Sequence, residues 1–361
     1  VSVYRRATVT EVRSRGAGIR EADLEFESGS SGTAIVLEGL TGSVEVGDEV
    51  IANATAVDLG LGSGGYHFVL WNLSRDSLTV PSRGHIMKLR YTPLQFNVEA
   101  VEETAFGDGQ DLDAGCALGG VPVVAGSLHS QLLPVALAYR TARPRGRLVY
   151  VMTDGGSLPM AFSDTVRFLK REGYLDATIS CGHAFGGDYE AVSIYGALAA
   201  ARLTCAADAV VAVMGPGIVG TGSSLGFSGM EQAAVVNAAS SLGGRPVSVA
   251  RITFSDERVR HRGLSHHTVS ALGIGALARS VVGIPVMEGE KRELVMSQLD
   301  ASGIGGAHDI REVDARGVLE LIERCTFEPT VMGRSVSEEP EFFMAAGAAG
   351  MLAAEIEGDP W

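Results

Sequence analysis

LVYVMTDGGSLPMAFSDTVRFLKR, residues Leu148 to Arg171, holds the unit from which most of this chain is built. The near-continuous apolar run Leu148–Thr153 predicts a strand buried on both faces. A polar turn follows at Asp154-Gly155-Gly156-Ser157, and the amphipathic stretch from Ala161 to Arg171 predicts a helix. The same order recurs on either side. Further buried strands are expected at Val121–Ala125, Ala177–Ser180, Asp208–Met214, Val247–Ile252 and Ile284–Met287. Helices are expected near Gln131–Tyr139, Tyr189–Leu203, Met230–Leu242 and Ser265–Ser280. Strands of this kind alternating with helices imply a mostly parallel sheet covered on both faces, an α/β sandwich.

Upstream of this region the pattern differs. Short alternating runs at Tyr4–Val12, Thr33–Leu37, Asp48–Val57, Tyr66–Trp71 and Ile86–Arg90 are separated by glycines and show no helical period. This predicts a small N-terminal β-barrel over residues 1–99, with the α/β domain over 100–361. The acidic, glycine-containing stretch Ala100–Ala114 suits a connection between them. Farther on, the alanine- and glycine-rich segment Glu338–Glu355 reads as a helix that packs closely, either in the core or against a second subunit.

Charge narrows the possible partners. The 361 residues include 29 basic and 43 acidic side chains, a net charge of −14. That balance disfavours nucleic acid and anionic membranes. Lysine occurs only at Lys88, Lys170 and Lys291, so a Walker-type phosphate loop has no residue to use. Four cysteines without paired spacing, and no signal-like apolar segment, lead to the expectation of a cytoplasmic protein with reduced thiols. Homo-oligomerisation is a further expectation.

In a parallel sheet, ligands gather beyond the carboxyl ends of the strands. The predicted strand-end loops hold His129 and Ser127 in the first, Asp154, Gly155 and Gly156 in the second, and Cys181, His183 and Asp188 in the third. The fourth holds Gly217, Gly220, Thr221 and Gly222, and the fifth, SDERVRHRGLSHH, holds Arg260, Arg262 and His266. Five of the eight histidines fall in these loops. His129, Asp154, Cys181, His183 and Asp188 are the candidate catalytic groups. The remainder are ligand contacts, with Arg260 and Arg262 suited to a carboxylate or phosphate.

The alternative explanation is helix capping and tight turns. Imidazoles from His129, His183, His266 or His267, with Asp154 or Asp188, could hold a divalent metal. Adjacent histidines on a helix diverge, however, so His266 and His267 are not expected to share one ion. Cys181 and His183, two apart on extended backbone, would face the same side and lower the thiol pKa. The sequence names neither a cofactor nor a particular metal.

Formal motifs add little. Gly215 to Gly220 fits G-x-G-x-x-G, but no helix opens directly after it. Gly222 to Gly226 fits G-x-S-x-G, yet begins well past the predicted strand end. Ser228 and Glu231 have capping-box spacing.

Asn53–Val69 (NATAVDLGLGSGGYHFV), Leu89–Gln95 (LRYTPLQ), Gly126–Gln131 (GSLHSQ) and Thr153–Pro159 (TDGGSLP) together resemble an uncharacterised bacterial family of unknown function, over nearly the whole chain. That resemblance implies no activity. The layout around VYVMTDGG and AVVAVMGPG is more distantly similar to the proprotein subunit of glycine and sarcosine reductases, which matures to a pyruvoyl group. For that maturation the nearest candidate here is Ser180-Cys181. The leading expectation is an enzyme or binding protein for a small anionic metabolite. A non-catalytic scaffold is the rival.

Overall fold

A computed structural model describes residues 1–104 and 116–356, so most of the expected connection lies outside the described residues. The chain divides into two compact units, Val1–Val98 and the part from Glu99 onward.

The first unit is a closed barrel of β1 (Tyr4–Gly16), β2 (Ile19–Phe26), β3 (Ser31–Leu37), β4 (Glu49–Asn53) and β5 (His67–Asn72), in the order β1-β2-β3-β5-β4. Alternation places Ala7, Val9, Ala22, Leu24, Ala34, Val36, Val50 and Val69 in its core. Ile86–Lys88 (β6) was expected to belong to the barrel. It pairs instead with β7 (Phe96–Val98) in a separate hairpin.

The second unit carries an eight-stranded sheet of β8 (Pro122–Ala125), β9 (Leu148–Thr153), β10 (Ala177–Cys181), β11 (Tyr189–Ala191), β12 (Ala209–Met214), β13 (Arg245–Val249), β16 (Val281–Pro285) and β17 (Asp309–Val313). The small ribbon β14 (Ile252–Thr253) and β15 (Gly263–Leu264) lies outside it. The sheet order is β11-β10-β9-β12-β8-β13-β16-β17, and every pair is parallel. Because neighbouring residues on a strand face opposite sides, Leu148, Tyr150 and Met152 enter one core and Val149 and Val151 the other. Helices Leu132–Ala142, Asp164–Arg171, Gly317–Glu323 and Pro340–Ile356 contribute to the first core. Helices Ile194–Leu203, Glu231–Ser241 and Gly289–Ala301 contribute to the second.

Several expectations change. The helix expected from Tyr189 starts at Ile194, because Tyr189–Ala191 joins the sheet edge beside β10. The strand expected to run to Ile252 stops at Val249. The alanine-rich terminal helix is a core element. Gly347 sits against Val318, Gly350 against the Val135 carbonyl, and Ala348 beside Gly283 of β16. Its small residues serve close packing inside the unit.

Candidate functional site

The chain leaves β8 towards β9 on one side of the sheet and leaves β12 towards β13 on the other. The carboxyl ends of the adjacent strands β8 and β12 are therefore a topological switch point, as are those of β9 and β12, the usual kind of place for a ligand crevice. Side-chain clusters lie on either side of it.

On the β13 side, Ser265 caps the helix that starts at His266 by accepting from the His267 amide. His261, His266 and His267 come together there, with one ring nitrogen of each within 4.8 Å of the others. The expectation that His266 and His267 diverge is thus overturned: their ring centroids are 4.5 Å apart, and that of His261 is 4.7 Å from His266. Phe227, from the loop after β12, stacks on His267 with centroids 3.9 Å apart and planes 4° from parallel. His261 Nδ1 meets the Ser265 hydroxyl at 2.7 Å.

Beneath the rings lies Arg251, only 2% exposed. Its Nη1 donates to His267 Nδ1 over 2.8 Å. Burial lowers its pKa to about 10, so it remains charged at neutral pH. Asp256 lies 3.8 Å from Arg251, 2.7 Å from Arg258 and 3.5 Å from Arg334. Arg334 also pairs with the buried Glu339 at 2.7 Å, so two carboxylates face three guanidinium groups and the corner keeps one net positive charge. The hydrogen bond from Arg258 holds the Asp256 pKa well below the usual range. Burial, reinforced by Arg251, lowers His261 to about 3 and His267 to about 2. Burial followed by Arg260 lowers His266.

This environment bears on what the rings can hold. A guanidinium only donates, so His267 Nδ1 is the acceptor and the neutral ring carries its proton on Nε2. A metal at Nε2 would need that proton removed, beside a buried cation. The spacing fits a metal, but the hydrogen bonding of His267 and the surrounding charge favour an anion. Some point lies within about 2.8 Å of all three nitrogens, the length of an ordinary hydrogen bond to oxygen.

On the β9 side, Thr153, Asp154, Cys181, Gly182, Ser193 and Glu231 border a cavity of about 220 Å³. Glu231 accepts from the Thr153 hydroxyl at 2.6 Å, and burial raises its pKa. The capping box expected for Ser228 and Glu231 is therefore not formed. A Cβ at Gly155 would lie 2.8 Å from the Glu231 carboxylate, and one at Gly182 would lie 2.5 Å from Asp154. Gly182 also has φ +63°, so both space and backbone call for glycine there. Asp154 Oδ1 is buried without a hydrogen-bond partner.

The other expected residues separate by what holds them. His129 is engaged at both nitrogens: Nδ1 donates to the Met214 carbonyl at 3.1 Å and Nε2 meets the Ser163 hydroxyl at 2.6 Å. Ser163 in turn caps Asp164–Arg171, and burial lowers the His129 pKa to about 4. The ring is a neutral pin between loops. Asp188 accepts from the amide and hydroxyl of Thr178 and pairs with Lys170. Burial opposes its charge, but these donors outweigh it and lower its pKa.

Cys181 is buried at the end of β10, and His183 lies half-buried beyond it. Gly220 bridges Phe227, and Thr221 and Gly222 sit in the exposed turn so formed, with the Arg260 guanidinium 3.5 Å from where a Gly222 Cβ would be. Gly217 takes φ +132° earlier in the same loop. Gly156 and Arg262 are exposed, and Ser127 is fully buried. Sequence reasoning did not single out Arg251, Phe227 or Gln232. Arg251, a lone charge in the apolar run VSVARIT, was the available signal.

Together these features define a class: a β-barrel followed in sequence by a parallel α/β unit whose strand ends carry a histidine cluster able to form a ligand or metal site. The chain belongs to the DUF3866 family, described as a protein of unknown function, whose profile matches residues 33–350. No curated protein and no solved structure matches the chain, and the more distant reductase likeness gains no support.

Proposed function

We propose that this protein is a cytoplasmic enzyme or binding protein for a small anionic molecule, held at the His261, His266 and His267 cluster above Arg251. The observation that supports this best is the buried Arg251 guanidinium, whose donation to His267 fixes an N–H on the free edge of that ring. Arg260 and Arg262, exposed on the same loop, attract the anion and complete its contacts. Nucleic acid is a poorer fit. In the barrel, Arg5, Arg6, Arg13, Arg15 and Arg20 each pair with a carboxylate. Among the described residues, no helix is long and apolar enough to cross a membrane. The Asp154 and Glu231 cavity is the place for acid-base chemistry if the bound anion reacts.

Calorimetric titration with inorganic phosphate and with acetate tests the reading. Wild-type protein is expected to bind at least one of them, and Arg260→Gln or Arg262→Gln to bind it more weakly. Unchanged affinity in both variants contradicts the proposal.

A further inference from the structure

Near the proposed anion site, buried polar groups gather around the ends of β8 and β13. Among the described residues, Ser127 Oγ, Gln131 Nε2, Gln232 Oε1 and Arg251 Nε are buried without a hydrogen-bond partner. Their side chains are 0–2% exposed. Native interiors rarely leave such groups unmatched.

The free atoms are of known kind. Gln232 Nε2 donates to the carbonyls of Ala125 and Val249, the last residues of β8 and β13. A flipped amide would set oxygen against both carbonyls, so Oε1 is the free acceptor. Gln131 Oε1 accepts from the amides of Ser127 and Leu128, which leaves Nε2 as a free donor. Ser127 and Arg251 stand two residues beyond Ala125 and Val249 on the paired strands. The region is continuous with the histidines. Gly229 lies between the Ser127 carbonyl and the Phe227 ring, Phe227 stacks on His267, and His267 is bonded to Arg251.

We infer that these atoms read a hydroxyl group, so that the ligand is a small hydroxylated anion: its charged group lies on Arg251 and the histidines, and its hydroxyl accepts from Gln131 and donates to Gln232 beside Ser127. This rests on the anion site proposed above. A hydroxyl both gives and takes a hydrogen bond, which suits one free donor and one free acceptor. A site built this way discriminates strongly against the analogue that lacks the hydroxyl.

The test is calorimetric titration of the full wild-type chain with two matched pairs, acetate against glycolate and propyl phosphate against glycerol 3-phosphate. In at least one pair the hydroxylated member is expected to bind tenfold or more tightly, with Ser127→Ala narrowing that preference at least threefold. Equal affinity within both pairs, the outcome if ordered water alone satisfies these atoms, overturns the hydroxyl reading and leaves the anion site standing. A preference undiminished in Ser127→Ala also overturns it. Failure of all four compounds to bind overturns the anion site itself.

Discussion

Arg251 Nη1 donates to His267 Nδ1 over 2.8 Å, and both residues are buried. That bond sets the tautomer of one ring and places a charge under three. Arg251→Lys keeps the charge but loses the planar fork. Anion affinity is expected to fall by about 1.5–3 kcal/mol, roughly ten- to a hundredfold, by calorimetry. Full affinity in the lysine variant would remove Arg251 from the site.

Acid should destabilise the protein through its buried histidines. His129, His261 and His267 have folded pKa values of about 4, 3 and 2, all lowered by burial. Below about pH 6.5 the unfolded chain protonates each of them while the folded chain does not. Their stabilising contribution is therefore complete above that pH and is lost as the pH falls through it, by up to about 1.4 kcal/mol per pH unit for each histidine. Urea unfolding at pH 7, 6 and 5 should show this decline, and His129→Gln should make it shallower. A flat profile would mean that the rings are protonated in the folded state.

Glu231 gives a sharper contrast. Burial raises its pKa, the hydrogen bond from the Thr153 hydroxyl opposes that rise, and a glutamine oxygen could accept the same bond. Glu231→Gln is expected to cost under about 1 kcal/mol, whereas Glu231→Ala strands the Thr153 hydroxyl and costs about 1–3 kcal/mol. Thermal unfolding of the two variants should separate them. Equal losses would indicate that the ionised carboxylate matters instead.

The terminal helix can be tested at Gly350, where an added Cβ would run into the Val135 carbonyl. Gly350→Ala is expected to destabilise by about 1–3 kcal/mol through overpacking, although alanine is the better helix former. A stabilised variant in denaturant titration would show that the helix has room to shift.

How much of this was legible in the sequence depended on burial. Strands such as Leu148–Thr153 are buried on both faces and announce themselves as apolar runs. Strand β2, IREADLEF, does not, because the half-buried Arg20 and Glu21 and the exposed Glu25 fall between Ile19, Ala22, Leu24 and Phe26. Strand β17, DIREV, lies at the sheet edge and keeps only Val313 buried. The loop from Ser255 to His267 stood out as basic, and it does carry the histidine cluster. The groups beneath it were less visible. Gln232 looks like an ordinary surface residue at the start of a helix until its amide is seen joining β8 to β13. His129 had the residue type of a catalyst, but its two hydrogen bonds became apparent only once Met214 and Ser163 were brought beside it.

Nitrogen NMR of the histidine side chains during a phosphate titration at pH 7 tests the central claim most directly. The free protein should show His267 protonated at Nε2 and unprotonated at Nδ1. Added phosphate should then shift the resonances of His261, His266 and His267 and leave those of His67, His129 and His308 in place. Unmoved cluster resonances, or a cluster that responds to stoichiometric zinc and not to the anion, would contradict it.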